Sequence, residues 1–114
     1  MNYSKVAETN ELRPGEKRKV TFDGKEIFLT NLENSYYAID NSCSHMGGSL
    51  VDGTLEGNQI ICPKHGSIYD VTNGKLLQNG KLLFLKVKAK DLHSYPVKIE
   101  GTDILIGMDA ISVE

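Results

Sequence analysis

The chain has 114 residues, 13 of them Lys or Arg and 15 Asp or Glu, for a formal net charge of −2. That length suits one domain with a modest core, residues 1–114, and is too short for two. With charges of both signs interspersed there is no basic stripe of the kind that neutralises a phosphate backbone, and neither Met1 to Lys5 nor any later segment has the apolar run of a signal peptide or bilayer span. Nucleic acid and membrane insertion are therefore not expected, and the chain reads as a cytoplasmic monomer.

The predicted elements are all strands. Lys17 to Phe22 and Lys25 to Thr30 flank Asp23-Gly24, a hairpin signal because a type I′ turn needs positive φ at both central residues. Ser35 to Ile39 reads as the next strand. Gln59 to Ile61 leads to Cys62, and Ser67 to Tyr69 leaves the same loop. After Asn73-Gly74 and Asn79-Gly80, Leu82 to Lys88 alternates mostly with period two, as a half-buried strand does. Val97 to Glu100 and Asp103 to Ile106 then flank Gly101-Thr102. No sustained helical stripe, repeat or low-complexity stretch interrupts this all-β pattern.

Both cysteines of the chain stand in short loops, each followed closely by a histidine: Cys43-Ser44-His45, then sixteen residues, then Cys62-Pro63-Lys64-His65. Such pairs favour metal ligation over a disulfide, above all in a reducing compartment. Gly47, Gly48 and Gly66 follow the two histidines; glycine tolerates positive φ and lets backbone N–H groups approach an anionic centre. Two metal centres suit two thiolates and two imidazoles. One zinc would take all four, whereas a [2Fe–2S] cluster would take both cysteines on one iron and both histidines on the other. The order Cys-His then Cys-His, on strand-flanked loops, is unlike the usual zinc finger. The third histidine, His93, has no partner motif and reads as a surface or packing residue.

Cys43-x-His45 and Cys62-x-x-His65-Gly66 resemble the signature of Rieske iron–sulfur proteins, specifically over residues 35–75 and in register outside them. The strand Ser35 to Asn41, the glycines from Gly47 to Gly53, and Tyr69-Asp70 before Asn73-Gly74 agree with that family. The resemblance implies a Rieske fold, antiparallel sheets as a base with a small cluster-binding subdomain, about residues 42–75, at one tip. It implies one [2Fe–2S] cluster held by Cys43, His45, Cys62 and His65, with the imidazole edges facing solvent or a partner. Ser67, Tyr69, Gly47, Gly48 and Gly66 would surround it. In high-potential relatives a Ser and a Tyr at the places of Ser67 and Tyr69 donate hydrogen bonds to cluster sulfurs. By that resemblance the potential is expected in the upper part of the range of about −150 to +300 mV, with an acceptor other than a low-potential oxygenase.

Respiratory relatives also tie the two loops with a disulfide, where this chain has Gly48 and Lys64, and many members cover the cluster with a proline-containing third loop, where Leu76 to Leu85 has no proline. Rieske oxygenases need a second, mononuclear iron held by two His and a carboxylate, but only His93 remains. The expected function is therefore that of a soluble ferredoxin, a one-electron carrier and not an enzyme, docking transiently to a reductase and an acceptor. Three other readings stay open: a small subunit of a nitrite-reductase-like complex, a redox sensor, and a zinc-stabilised interaction module.

Overall fold

The computed structural model describes residues 2–42, 48–82, 85–87 and 89–108, and among these there are thirteen strands and no α-helix. The strands are β1 (Asn2–Glu8), β2 (Lys17–Phe22), β3 (Lys25–Leu32), β4 (Ser35–Asp40), β5 (Thr54–Glu56), β6 (Gln59–Ile61) and β7 (Ile68–Asp70). They continue with β8 (Leu76–Gln78), β9 (Gly80–Leu82), β10 (Leu85–Val87), β11 (Ser94–Tyr95), β12 (Val97–Glu100) and β13 (Asp103–Met108). Three antiparallel sheets have the orders β1-β13-β12, β11-β4-β3-β2 and β5-β6-β7-β8, and β9 pairs with β10 alone.

The Asp23-Gly24 turn follows from its residues. β2 and β3 pair from Lys17↔Thr30 to Phe22↔Lys25, and the two turn residues have φ of 54° and 79°, as a type I′ hairpin requires. The following hairpin repeats this with Glu33 and Asn34, φ 54° and 71°, between Leu32 and Ser35. A left-handed residue with a Cβ costs about 1–2 kcal/mol. Asn31, buried beside it, offsets the strain: its Oδ1 accepts the Asn34 N–H at 2.7 Å and its Nδ2 donates to the Leu12 carbonyl at 2.9 Å.

The central sheet is buried on both faces, which is why β3 carries the unbroken apolar run Ile27-Phe28-Leu29. Ile27, Leu29 and Ala38 pack with Ala7, Ile104 and Ile106 of the β1-β13-β12 sheet, forming the core of the base. Phe28 and Ile39, one residue out of phase, pack on the opposite face with Leu50, Ile60, Cys62, Tyr69 and Val71. Strand alternation thus sends one set of side chains to the base and the next to the loop that carries Cys62.

The expected strand from Leu82 to Lys88 is corrected. The chain reverses within it, so that Leu85 pairs with Leu82, Lys86 with Lys81 and Val87 with Gly80. A period-two pattern reads alike in both directions and no glycine or asparagine marks the reversal; Leu83, Phe84 and Lys88, part of that expectation, lie outside the described residues.

Candidate metal centre

β6 delivers Cys62 into the second core, where the residue is 1% exposed. Its N–H donates to the Ser67 carbonyl at 2.8 Å and its own carbonyl accepts the Gly66 N–H at 3.1 Å, closing a tight loop around Pro63, Lys64 and His65. Gly66 has φ of 85°, a conformation in which a side chain would be strained. His65 is half-buried, while Pro63 and Lys64 are exposed. The loop therefore fixes one sulfur inside the core and holds one imidazole at its margin.

Of the first loop, Cys43, Ser44, His45, Met46 and Gly47 lie outside the described residues. At its neck Ser42 and Ser49 form an antiparallel bridge, and the buried Asn41 binds the returning chain three times. Its carbonyl accepts the Leu50 N–H at 2.8 Å, its Oδ1 the Val51 N–H at 3.0 Å, and its Nδ2 donates to Ser49 Oγ at 2.8 Å. Beyond that neck Gly48 lies against the second loop: a Cβ there would stand 2.9 Å from Cys62 Sγ and 3.2 Å from Lys64 Cβ. The two loops converge on the Cys62 sulfur, and the first can approach that closely because residue 48 has no side chain. Gly48 and Lys64, the places where a disulfide ties the loops in respiratory relatives, lie side by side.

The third wall comes from the chain after β8. Ser67, 1% exposed, accepts the Gly80 N–H at Oγ, 3.0 Å away, which leaves its hydroxyl proton for another acceptor. A Cβ on Gly80 would stand 2.9 Å from both the His65 carbonyl carbon and Ser67 Oγ. Asn79 Oδ1 accepts the Ala89 N–H at 3.0 Å and so closes the base of the β9-β10 hairpin. The segment after β8 is thus seated on the second loop through Gly80. Tyr69 is fully buried beside Cys62 in the same core. Asn41, Asn79 and Gly80 were not singled out as site residues from the sequence; Asn79-Gly80 signalled only a turn.

His93 is engaged elsewhere, in agreement with its reading as a surface or packing residue. Its ring meets Tyr95 edge-on at 4.6 Å, and its backbone N–H and carbonyl bind the Asp40 carboxylate and N–H. The Tyr95 hydroxyl donates to Asp40 Oδ1 at 2.6 Å; burial and this carboxylate raise the Tyr95 pKa above the ordinary tyrosine value. Among the described residues no three His, Cys, Asp or Glu side chains group as a metal site, since two of the four expected ligands fall outside them. No helix among the described residues is long and apolar enough to cross a membrane.

Comparison with known proteins gives the same direction. The family model of the Rieske [2Fe-2S] domain matches residues 2–96. The chain is 36% identical over 108 residues, 95% of its own length and 97% of the relative's, to the ferredoxin component of naphthalene 1,2-dioxygenase/salicylate 5-hydroxylase systems of a Ralstonia species. It is 37% identical over 98 residues, 86% of this chain and 88% of the other, to the naphthalene 1,2-dioxygenase ferredoxin component of Pseudomonas aeruginosa. Among solved structures, the ferredoxin of carbazole 1,9a-dioxygenase from Nocardioides aromaticivorans IC177 superposes with a TM-score of 0.77 at 31% identity, covering 96% of this chain and all (100%) of that one. A buried thiol met by a side-chain-free backbone, with a half-buried imidazole three residues on, suits a sulfide-bridged cluster held between two loops. The chain belongs to the Rieske [2Fe-2S] family: it carries one Rieske-type [2Fe–2S] cluster and is a one-electron carrier between redox proteins, not itself an enzyme.

Proposed function

We propose that Cys43 and Cys62 hold one iron of the cluster and His45 and His65 the other, within a single domain, residues 1–114, whose cluster-binding part spans about residues 42–75. The cluster supplies a centre that accepts and releases one electron at a time. Around it, the core fixes the Cys62 sulfur, the Gly48 backbone lies against that sulfur, and His65 at the margin gives the electron a way to a partner. The convergence of the two loops on Cys62 is the observation that carries this reading.

The acceptor proposed is an oxygenase of an aromatic-ring dioxygenase system, the donor a reductase of the same system, and the location cytoplasmic. The names of the relatives support this, and one solved neighbour of 25% identity is a complex of reduced oxygenase and oxidised ferredoxin in carbazole 1,9a-dioxygenase. The hydroxyls of Ser67 and Tyr69 had suggested an acceptor other than a low-potential oxygenase; relatives matched over nearly the whole chain weigh more than two side chains. The test is direct. Protein assembled anaerobically is expected to be red-brown, with about two irons and two acid-labile sulfides per chain, a Rieske-type EPR signal once reduced, and single-turnover electron delivery to such an oxygenase. A colourless protein with stoichiometric zinc would instead make this a zinc-stabilised module.

A further inference from the structure

Charges are interspersed along the chain as a whole, but not around the third wall of the site. Between Asp70 and Asp91 stand five lysines, Lys75, Lys81, Lys86, Lys88 and Lys90, and no Asp or Glu, in a chain of net charge −2. Two of them occupy opposed positions in the β9-β10 hairpin, where Lys86 pairs with Lys81. Like charges directly across a strand pair destabilise it, and an isolated two-stranded hairpin is marginal to begin with. Nothing in the pairing of β9 with β10 explains why this hairpin carries them.

Its position does. The hairpin springs from Gly80, whose N–H binds Ser67 Oγ and whose α-carbon is packed on the His65 carbonyl. Along the chain, the residues of that root adjoin two exposed side chains, Lys64 before His65 and, on β8, Leu77, which is 49% exposed. A basic element with an adjoining apolar side chain is thus rooted beside the half-buried His65. We propose that the β9-β10 hairpin is a basic docking arm that seats an acidic surface of a redox partner next to His65. This rests on the electron-carrier reading above. Its field raises the encounter rate with acidic partners and lowers it with basic ones, and salt screens both effects.

The test uses the cluster-loaded protein, with cytochrome b5 as a redox probe of acidic docking face and cytochrome c as one of basic face. Electron transfer is followed by stopped flow, in the downhill direction, from low to high salt. For the wild type the rate with cytochrome b5 is expected to fall steeply with salt. Lys81→Glu sets an opposite charge across from Lys86, which favours the pairing, so a purely structural role for these lysines predicts unchanged kinetics. Docking predicts the reverse: about tenfold slower transfer to or from cytochrome b5 at low salt, convergence at high salt, and faster reaction with cytochrome c. Lys98→Glu makes the same charge change on β12 in the base sheet and is expected to leave the rate within about twofold, as a distant charge largely screened by salt should. Unaltered cytochrome b5 kinetics in both Lys81→Glu and Lys81→Glu/Lys86→Glu, with the cluster spectrum intact, would overturn the arm. Vesicles of anionic phospholipid that bind wild type and release Lys81→Glu, without an effect on cytochrome b5, would also overturn it and assign the hairpin to a lipid surface. A chain that assembles no cluster fails the carrier reading instead, and sedimentation with cytochrome b5 still reports whether the hairpin binds it.

Discussion

The two faces of the central sheet support cores of different kind. On the base side, Ile27, Leu29 and Ala38 meet Ile104 and Ile106 of a second sheet, and the contact is between regular strands. On the other side, Phe28 and Ile39 meet Leu50, Cys62, Tyr69 and Val71, and short strands alternate with loops held by a few hydrogen bonds and glycine contacts. Sheet on sheet packing stabilises the base without help. The site side adds a metal centre to a core too irregular to fix two loops by apolar burial alone, and there metal binding is also folding free energy.

The largest expected effect separates the two. Cys62→Ser removes a proposed ligand and the atom on which both loops converge, so iron content should fall to background. Amide exchange of Ile60 and Tyr69 is expected to accelerate strongly, while that of Ile104 and Ile106 in β13 stays slow. If the β13 amides lose protection to the same degree, the cores are not independent and the comparison fails. His93→Ala, at a residue engaged with Asp40 and Tyr95, should leave the iron content unchanged.

The converse substitution acts on the base. Ile104→Ala empties a fully buried position between the sheets and should cost about 2–5 kcal/mol. Denaturant titration is expected to show that loss with the visible spectrum of the cluster unaltered. A change in the spectrum would mean that the base shapes the site directly.

The smallest effect tests the site's polar lining. Ser67 and Tyr69 are both buried at the second loop. Hydrogen bonds from their hydroxyls to cluster sulfurs would strengthen when the cluster gains an electron. If each bond is worth about 1–2 kcal/mol more in the reduced state, Ser67→Ala and Tyr69→Phe should each lower the midpoint potential by about 50–100 mV. Redox titration beside the wild type measures this. A potential that neither substitution lowers would show that these hydroxyls do not reach the sulfurs.

The sequence by itself determined the features written into neighbouring residues or fixed spacings. Asp23-Gly24 announced a turn because positive φ at two successive positions is a local demand. The Cys-His pairs announced a metal centre because ligand chemistry depends on residue type and spacing, and their family pattern carried the fold with it. Even the double burial of β3 is visible in its unbroken apolar run. Tertiary structure decided the rest, where the cause lies far along the chain. Glu33 and Asn34 turn left-handed because Asn31 and Leu12 brace them, and β1, whose sequence is largely polar, is a strand because β13 pairs with it from the other end of the chain. The reversal between Leu82 and Leu85 is invisible to a period-two pattern. Asn41 and Gly80 became site residues only when the neck of one loop and the root of a hairpin were brought against the other loop. Local backbone preference acts over a few residues and can be read in order, whereas contact between strands far apart in the chain depends on which surfaces meet.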